Sequence, residues 1–153
     1  MGMSKILMVF TSLTGNTRDM ADAIAEGIKS ENVELDIKEV MYASGDDLLK
    51  YDGIALGAYT WGDGDLPDEF LDFFDEMSEV QLDGQKAIVF GSCDSSYPVF
   101  GGAVDQLVDK LKEIGAEVVA EGLKIEMSPS QSELKQCQEF GASFAKRLVG
   151  IKQ

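Results

Sequence analysis

The chain has 153 residues, 44% of them hydrophobic and 27% charged, which is the balance of one globular domain with a core of its own. A formal net charge of −15 argues against nucleic acid, whose binding draws on a basic surface. The lack of any histidine removes Ser-His and Cys-His catalysis and deprives a transition-metal site of its commonest ligand.

No apolar run approaches the roughly 20 residues of a membrane-spanning helix. The N-terminal residues lack a signal-peptide pattern, and Ile6 stands where a myristoylation signal would have Ser or Thr. These features predict a cytoplasmic protein with no membrane partner and a single domain over 1–153. Cys93 and Cys137, 44 residues apart, form neither a CxxC pair nor a zinc pattern, and no internal disulfide is expected.

In chain order, the first strand is "KILMVF" (5–10), followed by a helical stripe of Met20, Ala21, Ile24, Ala25 and Ile28. "ELDIKEV" (34–40) alternates, as an edge strand does, and a short helix runs from Asp46 to near Tyr51. "GIALGAY" (53–59) is nearly all apolar, and Phe70, Phe73, Phe74 and Met77 make the next stripe just after Pro67. "KAIVFGS" (86–92) is again apolar. Val104, Leu107, Val108, Leu111 and Ile114 then give a helix that Gly115 stops. Two strand pieces fall within 116–126, and Leu134, Cys137, Gly141, Phe144 and Leu148 form the last stripe. Five strand-helix alternations predict an open parallel sheet with helices on both faces. Such sheets bind ligands beyond the carboxyl ends of their strands, which directs attention to 11–17, 59–68 and 91–102.

The first of these loops is "SLTGNT" (12–17), a strand-to-helix junction without a lysine. Gly15 permits a tight turn, and unpaired N–H groups with the helix dipole favour an anion there. Ser12, Thr14, Asn16 and Thr17 can add hydrogen bonds, although the same residue types are ordinary helix caps, and both readings stand. Neither GxxxxGK[ST] nor GxGxxG is present. The second loop, "YTWGDGDLPDEF", carries the only tryptophan, Trp61, beside Gly62, Asp63 and Gly64. A core role for a lone Trp is the competing reading; an aromatic in this glycine-rich setting also offers a stacking face. The third, "GSCDSSYPVFGG", places Tyr97 in a similar context, where Asp94, Ser95, Ser96 and Pro98 are also common turn residues. One phosphate cradle and two aromatic faces on one sheet edge suit a planar heterocycle that bears a phosphate.

The segments 12–17, 60–70 and 94–119 together resemble the flavodoxins, specifically the short-chain bacterial kind, and the likeness covers essentially the whole chain. No insertion of about 20 residues interrupts the last strand. The resemblance implies a doubly wound five-stranded parallel sheet of order 2-1-3-4-5 and noncovalently bound FMN. It implies a low-potential one-electron carrier that cycles between semiquinone and hydroquinone, serving reductases and electron acceptors, with no catalytic residue and no metal. By the same resemblance Ser12, Leu13, Thr14, Gly15, Asn16 and Thr17 surround the phosphate, and Thr60, Trp61, Gly62 and Asp63 form one side of the ring site. Ser92, Cys93, Asp94, Tyr97, Phe100 and Gly101 form the other. Trp61 and Tyr97 would cover the two ring faces, and the peptide at Gly62 would turn its carbonyl to the protonated ring N5.

Ten acidic residues and no Lys or Arg lie from Asp52 to Asp83. This run reads either as a solubilising face or as a docking surface for basic partners. A diffusing carrier also fits a monomer. Coulomb's law gives about 1.4 kcal/mol for a unit pair at ~12 Å and an effective dielectric of ~20, roughly 60 mV for one electron. Asp63, Asp65, Asp68 and Asp94 are therefore expected to disfavour full reduction of a bound ring, as is a phosphate without a cationic partner. An FMN-dependent quinone or nitro-compound reductase is the alternative function. A receiver domain lacks its aspartate at Ala58-Tyr59-Thr60, and a phosphatase loop at Cys93 lacks its arginine.

Overall fold

A computed structural model of the chain describes residues 4–13, 15–60, 64–94 and 101–152. Parallel strands β1 (Ser4–Phe10), β2 (Val33–Glu39), β3 (Gly53–Gly57) and β4 (Lys86–Cys93) form most of the sheet. The last position is shared by two short pieces, β5 (Glu117–Val118) and β6 (Leu123–Glu126), which both pair with β4. The order is β2-β1-β3-β4-β5, so the five expected positions hold, the fifth being split. The chain passes between the two pieces through residues 119–122, with no inserted loop.

Helices α1 (Asn16–Lys29) and α4 (Gln131–Lys152) cover one face, and α2 (Asp68–Met77) and α3 (Gly102–Glu113) the other. β1 feeds both cores: Ile6, Met8 and Phe10 belong to the cluster with α1 and α4, while Leu7 and Val9 belong to the one with α2 and α3. Both-sided burial explains why β1, β3 and β4 are continuous apolar runs. β2 alternates because only one neighbour and one face cover it. Its expected end moves back by one residue, since Val40 begins a 3-10 turn (Val40–Tyr42). β3 also ends earlier than the apolar run implies, at Gly57, although Ala58 N–H still donates to Phe90 and Thr60 N–H to Ser92.

The short helix expected from Asp46 is a 3-10 segment, Gly45–Lys50, closed by a reciprocal cap between Ser44 and Asp47. The Ser44 N–H, with Lys38 and Lys50 beside it, holds the Asp47 carboxyl below the usual carboxylate range against the opposing effect of burial. Helices α1 and α4 meet backbone to backbone. A Cβ at Gly27 would overlap the Gln138 carbonyl, and one at Gly141 the Ile24 carbonyl.

Candidate functional site

The carboxyl ends of β1, β3 and β4 bring the three singled-out loops to one edge. Gly15, at φ 94°, starts α1 in a left-handed conformation, and the direction of its missing Cβ is open space. Among the described residues the N–H groups of Asn16 and Thr17 have no acceptor, as helix geometry dictates for the first turn.

The side chains around this turn divide the work. Ser12 Oγ accepts from the N–H of Gly15 at 3.1 Å and of Arg18 at 3.2 Å. Ser12 is thus a cap, and its own O–H remains to donate, so capping leaves the anion reading open at this residue. Asn16 Oδ1 accepts from the Ser128 hydroxyl at 2.9 Å, which leaves the Asn16 NH2 as its donor end. Thr17 is buried, with Oγ1 2.7 Å from Ser92 Oγ. Leu13 is 62% exposed, so its side chain lies outside the cradle wall. Arg18 is turned elsewhere, to Glu39 at 3.0 Å and over the Phe10 ring at 5.2 Å. The result is a set of hydroxyl, amide and backbone donors around an open turn, which fits a phosphate monoester without a cation.

The second loop is held at both ends by α3. Thr60 Oγ1 accepts from the Ala103 N–H at 3.3 Å, and Gly64 C=O accepts from Gln106 Nε2 at 2.7 Å. Gly102 packs against the Gly64 backbone so closely that a Cβ there would overlap it. Tyr59 O–H closes the base of the loop on the Glu69 carboxylate, at 3.1 and 3.2 Å to its two oxygens. Burial, and then Glu69, pushes this phenol up to about 12.

In the third loop, Gly101 precedes α3 in a left-handed turn, with the methylenes of Lys124 packed over it. The Lys124 ammonium pairs with Asp105 at 2.9 Å. Cys93 is buried, and burial pushes its thiol up to about 11, so it is protonated and unreactive at neutral pH. Both cysteines are free thiols. Asp94 is half-buried at the mouth of the loop. Thr14, Trp61, Gly62, Asp63, Tyr97 and Phe100, all expected at the site, lie outside the described residues.

Gln106, Gly102, Ser128 and Lys124 were not singled out by the sequence. Gln106 and Lys124 had no visible signal, because a glutamine on a helix flank and a lysine in a strand are ordinary. Gly102 did follow Gly101 at a helix start, and the pair could have marked a close approach. Among the described residues no group of three or more acidic or cysteine side chains could hold a metal, and no helix is long and apolar enough to cross a membrane.

The profile of the Flavodoxin family matches residues 8–141. Probable flavodoxin 2 of Bacillus subtilis is 44% identical over 146 residues, covering 95% of this chain and 97% of that one. A flavodoxin of Maridesulfovibrio salexigens is 38% identical over 149 residues, covering 95% and 100%. The crystal structure of oxidised Flavodoxin 1 from Bacillus cereus superposes with a TM-score of 0.92 at 53% identity, covering 95% of this chain and 99% of that one. With the sheet order, the open donor-lined turn and near-complete matches in both directions, the chain belongs to the flavodoxin family, carriers that bind FMN and pass electrons between redox proteins rather than turning over a substrate of their own.

Proposed function

We propose that this chain is a low-potential, monomeric, cytoplasmic carrier whose FMN phosphate sits at the N-terminus of α1. The observation that carries this reading is the donor set around Gly15: the N–H groups of Asn16 and Thr17 lack acceptors among the described residues, and the hydroxyls of Ser12 and Thr17 and the Asn16 amide stand beside them. Thr14 completes the cradle in the family pattern. Trp61 and Tyr97 would flank the ring, with Thr60, Gly62, Asp63, Ser92, Cys93, Asp94, Phe100 and Gly101 around it. When bound, FMN supplies chemistry that accepts and releases electrons singly.

The chain's own residues then do three things. The cradle fixes the phosphate with neutral donors, so the ligand keeps its charge. Burial at Thr17, Ser92 and Cys93 keeps water from the floor between the cradle and β4. The carboxylates of Asp65 and Asp68, both exposed, raise the negative potential at the loop mouth. Exposed Asp68, Glu69, Asp72, Asp75 and Glu76 on α2 form no ion pair among the described residues. A field of that sign steers basic partner surfaces and weakens with salt.

Stepwise dithionite reduction of the FMN-loaded protein, followed by its visible spectrum, tests the carrier reading. Two resolved one-electron steps, and no NADH or NADPH oxidation with a quinone in the absence of a reductase, are expected. A single two-electron step with direct turnover would support the reductase alternative instead.

A further inference from the structure

A buried pair of hydroxyls joins the start of α1 to the end of β4. Thr17 Oγ1 and Ser92 Oγ are 2.7 Å apart across 75 residues of sequence. Their residues are 1% and 7% exposed, and among the described residues neither hydroxyl has another partner. Each hydroxyl has one proton and two acceptor lone pairs. Only one proton occupies the line between the two oxygens, so one hydroxyl donates, and the other keeps its own proton for use elsewhere.

A phosphate dianion only accepts. If Thr17 donated to Ser92, it would face the phosphate with lone pairs alone, and the Ser92 proton would have no acceptor among the described residues. The reverse polarity satisfies every group. We propose that Ser92 is a positioning residue for phosphate binding, donating to Thr17 Oγ1 so that the Thr17 O–H is released to the phosphate. The inference rests on the reading that Thr17 contacts the phosphate. Burial strengthens such a chain, because hydrogen bonds in a low-dielectric site polarise one another. Ser92 therefore acts on the phosphate end although it lies on the strand that leads into the ring-side loop.

The test compares FMN with riboflavin, which has the same ring and no phosphate. Dissociation constants are measured with the apoprotein by flavin fluorescence for wild type, Thr17→Val, Ser92→Ala and the double variant. Thr17→Val is expected to weaken FMN about tenfold or more, and Ser92→Ala about fivefold, with riboflavin affinity held within about twofold in both. In the Thr17→Val background, Ser92→Ala should cost nothing further. Ser92→Cys, near-isosteric and a poor donor, should reproduce the loss and so separate it from packing. Equal weakening of FMN and riboflavin by Ser92→Ala, or no change in either, overturns the relay. An unchanged FMN preference in Thr17→Val overturns the underlying assignment of Thr17.

Discussion

At the proposed phosphate end, α1 presents its donors from a braced frame: Ser12 spans two N–H groups, Asn16 is tied to Ser128, Thr17 to Ser92, and the helix lies directly on the α4 backbone. At the proposed ring end, the described contacts hold the second loop at two points, Thr60 and Gly64, both gripped by the start of α3. A compact anion requires donors fixed within tenths of an ångström, which a frame of backbone N–H groups and buried hydroxyls can supply. A broad ring needs placed edges more than a filled cage. The two ends should therefore fail differently when altered.

The largest separation is expected from Gly102→Val. Its Cβ would enter the Gly64 backbone, and overpacking of this kind costs about 1–3 kcal/mol, roughly 5- to 150-fold if carried fully into affinity. Because the damage is at the ring end, FMN and riboflavin should weaken together in a fluorescence titration. A selective loss of FMN would show that α3 reaches the phosphate.

Asp47→Ala supplies the control away from both ends. Loss of the cap and of two ion pairs should lower stability by about 1–2 kcal/mol in urea melts at pH 7, with flavin selectivity intact. The folded carboxyl is held below its unfolded value, so its contribution is present above about pH 4 and is lost as pH falls through the folded value. The difference between wild type and variant should shrink on acidification; a constant gap from pH 7 to pH 2 would contradict the assignment.

Gln106→Ala removes one of the two grips on the second loop and leaves the Gly64 carbonyl without its side-chain donor. A net hydrogen bond of about 1 kcal/mol predicts roughly fivefold weaker binding of both flavins. Faster amide exchange at residues 64–66 in the apoprotein should accompany it, and unaltered exchange would remove Gln106 from the clamp. The smallest effect is expected from Asp68→Asn, because this carboxylate is exposed. The potential of the second one-electron step should rise by less than the roughly 60 mV of an unscreened pair, and the shift should fade with added salt. A shift that ignores ionic strength would point to a local packing change instead.

The sheet was legible because its physics is local. Both-sided burial wrote "KILMVF" and "KAIVFGS" as unbroken apolar runs, and Pro67 and Gly115 punctuate their helices where the structure starts and stops them. The tight turn at Gly15 was legible for the same reason, since the glycine and its hydroxyl neighbours are adjacent in the chain. The loop clamp was not. Gln106 meets Gly64 across 42 residues and Ser128 meets Asn16 across 112, pairings that depend on how α3 and β6 are seated. Nothing in either residue's own neighbourhood signals its partner. The split of the last strand was half-legible: "AEVVAEGLKIE" showed two pieces, but only the register shows both beside β4.

The contact of Gly27 and Gly141 with the opposite helix also bears on the order of events in the cell. The helix that carries the proposed phosphate donors is synthesised before α4, against whose backbone it sits. Flavin binding is therefore expected to wait until α4 has been made and seated. A nascent chain arrested before Gln131 should retain no FMN, whereas the released protein should; capture by the arrested chain would show that α1 is seated without α4.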